Sequence, residues 1–187
     1  MTPVDQNLAS VYRDVRKRQK SSSSPSAISH GATVTRIENF YQESNLHHFK
    51  VHSDEHAKPW GGTDKAPSPL GYLLSAIGFS INNQILIQSE VNGVKIESLE
   101  TVVAGWFDPK GSLDIRGHNP KLSKIALEFK VGSSSSIRDL NRVIRKAASC
   151  DVIYQTLAGA TKIQRKLTLV AAKAQGGGSI KRGNESH

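Results

Sequence analysis

The chain of 187 residues has one cysteine, Cys150. A single cysteine excludes an internal disulfide framework and points to a reducing compartment. Aromatic residues are 6% and hydrophobic residues 37%, so one core is the limit and the chain ends are not expected in it. No apolar leader follows Met1, which sets the expectation of a cytoplasmic protein. The net charge of +9 would suit nucleic acid. Yet the sequence lacks a helix-turn-helix pattern, a zinc ligand set and an aromatic-plus-glycine RNA signature, so nucleic acid is not an expected partner. A phosphate-binding loop is also excluded, because KPWGGTDKAPSP at 58–69 has no GKS or GKT ending. No cofactor or metal is expected.

What the chain does have is one long apolar stretch, Ser68–Glu90. Leu70, Leu73, Leu74, Ile77, Ile81, Ile85 and Leu86 recur at helical spacing. Ser68 is placed to cap the first amides, and Pro69 suits the first helical position. Gly71, Ser75, Ala76, Gly78 and Ser80 lie between the large residues and allow another backbone close. The length would suit a membrane span, but Asn82, Asn83, Gln84 and Gln88 argue against one. The reading is a helix buried at the centre of a soluble protein, across a subunit interface.

Around this helix the chain divides into a flexible basic segment at 1–30, a domain at 31–172 and a disordered tail at 173–187. Five basic residues, Arg13, Arg16, Lys17, Arg18 and Lys20, fall in a short helix over Val4–Lys20, and SSSSPS at 21–26 breaks it. A hairpin of Ala32–Asn39 and Leu46–His52 turns at Ser44-Asn45, with Phe49 and Val51 toward the core. Leu99–Phe107 reads as a strand and DPKG at 108–111 as a turn. Ile125, Leu127, Phe129 and Val131 alternate inward along a strand at Lys124–Val131. Ser136 and Asp139 form a capping box for a helix that buries Ile137, Leu140, Ile144 and Ala147. A short helix around Asp151–Leu157 and a strand at Lys166–Ala172 follow.

His47, His48, His52 and His56 crowd one region. On a strand, His48 and His52 would share a face yet stand about 13 Å apart, too far for one metal ion. They read as solvated strand histidines. Trp60 either covers a pocket at the helix start or fills a gap under the loop. Cys150, taken alone, reads as a small buried hydrophobe.

The segments SDEH at 53–56, GGTDKAPSPLGYLLSAIGFS at 61–80, FDPKGSLDIRGHNPKLSKIALEFKV at 107–131 and RKAASCDVIYQTLAGATKI at 145–163 resemble the OsmC/Ohr family of organic hydroperoxide reductases. The likeness spans roughly residues 32–170. It implies an α+β fold, with antiparallel sheets around a long central apolar helix, in an intertwined homodimer. It also implies an organic hydroperoxide substrate and a lipoyl-type dithiol reductant. In that chemistry a peroxidatic cysteine on the central helix is resolved by a second cysteine, with an arginine and a glutamate orienting the first. Cys150 matches the second cysteine. Ser80, eleven residues after Pro69, stands where the first belongs. Leu70 or Gly71 replaces the glutamate, and Arg36 is a poor substitute for the arginine. The resemblance implies a hydroperoxide resistance protein with peroxidase activity weak or lost, any residual turnover resting on Cys150. The alternative is a non-catalytic dimeric module that binds a small hydrophobic molecule in the interface pocket.

Overall fold

The computed structural model describes residues 7–23 and 28–170. The expected C-terminal tail at 173–187 lies outside the described residues. A first helix, α1 (Leu8–Ser21), is followed by three strands, β1 (Thr33–Glu38), β2 (Tyr41–Leu46) and β3 (Phe49–Ser53). The long helix is α2 (Pro69–Asn92). Then come β4 (Ser98–Trp106), the single turn α3 (Pro109–Ser112), β5 (Lys124–Gly132), α4 (Ile137–Cys150), α5 (Val152–Ala158) and β6 (Ile163–Val170). Two three-stranded sheets result, ordered β1-β2-β3 and β4-β5-β6.

The start of α2 is where the sequence puts it, and the helix runs two residues past the apolar stretch to Asn92. The Ser68 hydroxyl accepts from the Gly71 amide at 3.2 Å, and Pro69 opens the helix. Gly93 closes it in the left-handed region at φ 66°, a conformation that costs glycine nothing. Ile77, Ile81 and Ile85, one residue per turn, are fully buried. They meet a core of Ile125, Leu127, Phe129 and Val131 from β5, and Leu140, Val143, Ile144, Ala147 and Ala148 from α4. α2 is long and apolar enough by length and composition to cross a membrane. Here it packs against α1, α4, α5 and β4.

Several local expectations are corrected. Ser44 and Asn45 do not turn; they lie in β2, facing Val51 and Lys50. The chain reverses instead at Asn39–Phe40 and at His47–His48, where Asn39 and His47 take positive φ of 47° and 55°. The hairpin is therefore a three-stranded meander, and Phe49 is 63% exposed rather than turned to a core. Ile137, the first residue of α4, is exposed, and Val143 takes the buried place. DPKG carries a helical turn, with Asp108 accepting from the Lys110 amide. The last strand begins three residues earlier than expected, at Ile163, opposite Ile125. Its pairing with β5 is parallel, whereas the other ladders are antiparallel. A parallel neighbour requires a crossover, and α4 and α5 provide it.

The β1–β3 sheet has no hydrogen-bonded ladder to the other sheet. Val34, Ile37, Phe40, Leu46 and Phe49 on it are all exposed, as are Leu73, Phe79 and Leu86 on α2. An isolated three-stranded sheet beside an apolar helix face leaves more hydrophobic surface in water than a lone protomer ordinarily tolerates. α1, within the segment expected to be flexible, lies on α2 and buries Ala9 to 5% exposure.

Candidate functional site

Ser80 sits on α2 beside the junction of α4 and α5. Its hydroxyl donates to Asp151 Oδ2 at 2.6 Å. Asp151 is fully buried and caps α5, with Oδ1 accepting from the Tyr154 amide at 2.7 Å. One carboxylate thus ties the middle of α2 to the start of α5. Two donors, both supplied within the protein, satisfy a group that would be costly to bury alone.

Cys150, one residue before Asp151, is exposed and not the buried hydrophobe its residue type suggests. Its Sγ lies 3.7 Å from the Ser149 hydroxyl. The structure therefore brings Asp151, rather than Cys150, to the side chain of Ser80. Sequence reasoning missed Asp151 because its partner is 71 residues away. The available signal was an aspartate directly before a short helix, the position of an N-cap.

Arg36 is committed elsewhere: its Nε donates to the Asn39 carbonyl at 2.9 Å, closing the β1–β2 turn. Leu70 lines a cavity of about 660 Å³ with Trp60, Phe107 and Leu113, so Trp60 walls a pocket at the start of α2. A second cavity, about 620 Å³, lies between the β1–β3 sheet and α2, lined by Val34, Leu46, Val51, Tyr72, Ala76 and Phe79 among others.

The histidines do not converge. His47 is in a turn, and His48 packs its ring on Phe49 at 4.0 Å. The strand face expected for His48 and His52 is thus broken by the turn at His47–His48. His52 stacks on Tyr41, and His56 Nδ1 meets Asp64 Oδ1 at 3.0 Å. Among the described residues no group of His, Cys, Asp and Glu could hold a metal ion.

The loop leading into α2 is organised by Asp54, which is 1% exposed. Its carboxylate accepts from the Thr63 hydroxyl and from the amides of Glu55, Thr63 and Lys65. Gly62 passes so close to Glu55 that a Cβ there would meet its carbonyl oxygen at 1.8 Å. The Thr63 hydroxyl, followed by the backbone amides, holds the Asp54 carboxyl at a pKa of about 2. A carboxyl depressed in the folded state contributes stability that is complete above its unfolded value, about 3.9. That contribution fades as pH falls from about 4 toward about 2. Asp54→Asn should therefore flatten the acid limb of a stability-versus-pH curve from urea unfolding. An unchanged limb would show that Asp54 does not anchor the loop.

The comparisons with known proteins agree with this architecture. The family model described as OsmC-like protein matches residues 62–166, more than half of the chain. The chain belongs to the OsmC-like family. The OsmC-like fold extends beyond that match. An OsmC-like protein of Mycoplasma pneumoniae is 21% identical, with a TM-score of 0.67 over 76% of this chain and 98% of its own. An organic hydroperoxide resistance protein OsmC of Legionella pneumophila is 12% identical, with a TM-score of 0.62 over 77% and 99%. An organic hydroperoxide resistance protein of Elizabethkingia anophelis is also 12% identical, at 0.63 over 79% and 100%. No curated protein matches in sequence. The family match thus covers the central helix and the elements that follow it, through the first half of β6.

Proposed function

We propose that this OsmC-like protein is a homodimer related to the thiol-dependent organic hydroperoxide reductases, with its peroxidase activity weak or lost. The observation that carries the reading is Ser80, held by a buried carboxylate where the resemblance calls for a thiolate. A hydroxyl has no sulfenic state and cannot enter the cysteine oxidation ladder. A carboxylate neighbour is also the wrong charge to activate a thiol. Cys150 keeps a sulfur in the chain, but it is exposed, and among the described residues no second cysteine can resolve it. The exposed thiol fits a reducing, cytoplasmic setting.

A second reading is supported by the cavity of about 620 Å³ beneath the β1–β3 sheet. Its size falls in the usual range for small-molecule sites, and its walls are chiefly apolar. In this reading the domain at 31–172 keeps the family dimer and holds a small hydrophobic ligand.

The test is consumption of cumene hydroperoxide with dihydrolipoamide as reductant, comparing wild type with Cys150→Ser. Both should run close to the protein-free rate. Robust wild-type turnover that disappears in Cys150→Ser would overturn the lost-activity reading and make Cys150 the nucleophile.

A further inference from the structure

A cleft of about 650 Å³ lies where α1 crosses the C-terminal end of α2 beside α4. Four cations line it: Arg13 and Arg16 from α1, Arg142 and Lys146 from α4. Its remaining walls, Tyr12, Gln88, Val91 and Asn92, carry no acid. Arg142 meets Asp139 at 3.0 Å, with the side chains 56% and 38% exposed. Arg13, Arg16 and Lys146 have no ion-pair partner among the described residues. At the base is Gln88, 3% exposed, whose Nε2 has no acceptor among the described residues.

Cations at the end of a helix also complement its dipole, which would explain Arg13 and Arg16 alone. It does not explain why the buried Gln88 amide among the same lining residues has no acceptor for its Nε2, just as Gln84 Oε1 one turn earlier has no donor, since such groups are costly unpaired. A ligand that brings oxygen acceptors and negative charge satisfies the cations and the Gln88 donor alike. We propose that this cleft binds the phosphate group of a small molecule, with Gln88 donating at the floor and the arginines clamping the oxygens above. Arginine suits that role through paired N–H donors. Tyr12 offers an aromatic wall for an organic portion of the ligand.

The experiment is titration of the full chain at about 0.15 M ionic strength, where long-range attraction is screened. Probes are inorganic phosphate, inorganic pyrophosphate and a nucleoside diphosphate, with calorimetry and thermal melting as readouts. At least one should bind and raise Tm. If inorganic phosphate accounts for the full effect, the free ion is the ligand; a stronger effect of the nucleoside diphosphate assigns an organic phosphate. Arg13→Ala/Arg16→Ala should weaken binding by about a hundredfold, and Gln88→Leu by about tenfold. Gln88→Leu should also leave the unliganded Tm unchanged or higher, because it removes an unsatisfied donor. A structural role for Gln88 would lower that Tm instead. Failure of all three probes, binding that survives in the double arginine variant, or duplex DNA binding more tightly than any probe would each overturn the proposal.

Discussion

Ser80→Cys should yield a thiol that is harder to ionise than free cysteine, and should not restore peroxide turnover. The substituted sulfur would stand where the Ser80 hydroxyl now donates to Asp151, at the edge of a fully buried carboxylate. Two negative charges that close in a low-dielectric setting disfavour the thiolate, so its pKa should rise above about 8.5. The measurement is the pH dependence of alkylation at residue 80, made in a Cys150→Ser background to remove the other thiol. Adding Asp151→Asn should bring that pKa back down and raise any turnover with it. A pKa below about 7 in the single variant would show that a cation reaches the site and that the carboxylate does not control it. The same pair is expected to matter for stability. Asp151→Ala removes the cap of α5 and leaves the Ser80 hydroxyl and the Tyr154 amide without their acceptor. The cost should be about 3 kcal/mol in urea unfolding. Ser80→Ala should cost about 2 kcal/mol by orphaning one side of the carboxylate.

The second large effect concerns assembly. Phe79 is 71% exposed on α2, beside a β1–β3 sheet whose own hydrophobic residues face water. A 20.3 kDa protomer should therefore sediment at about twice its mass. Phe79→Asp should abolish the dimer, because each copy loses a buried aromatic worth about 3 kcal/mol and gains a buried charge. The variant should melt broadly or precipitate, since the interface stands in for part of the core. A wild-type protein that remains folded as a monomer of 20.3 kDa at micromolar concentration would sink this expectation.

Where a signal was local, the sequence could be read directly. Ser68, Pro69 and Gly93 mark the ends of α2 with caps made by neighbours in the chain. The alternation along β5 is equally plain, with Ile125, Leu127, Phe129 and Val131 all at 1% exposure or less. The hairpin reading failed because the strands of the meander are mostly polar, which leaves register without a hydrophobic pattern to fix it. The meander's turns also use asparagine and histidine with positive φ in place of glycine. On α2 the sequence names the apolar residues but cannot divide those that meet α4 from those that face outward. Leu73 and Leu86 look like Ile77 and Ile81 in the sequence yet are 36% and 37% exposed. Of the Ser80–Asp151 pair only Ser80 was singled out from the sequence, through resemblance. The Ser80–Asp151 bond depends on a tertiary contact between distant segments, and no spacing rule announces it.

The parallel pairing of β5 with β6 also has a meaning in time. β5 is the middle strand, yet its second edge must wait for a partner that follows two helices later. On a ribosome adding about 5–20 residues per second, the roughly 30 intervening residues take about two to six seconds. Throughout that interval the most apolar strand of the protein offers unpaired amides and carbonyls to any neighbouring chain. Lys124, Glu128 and Lys130 alternate with its buried residues. Charges so placed discourage edge-to-edge association, and Glu128 later receives Lys166 from β6 at 2.8 Å. The residues that protect the nascent strand are thus among those that greet its proper partner.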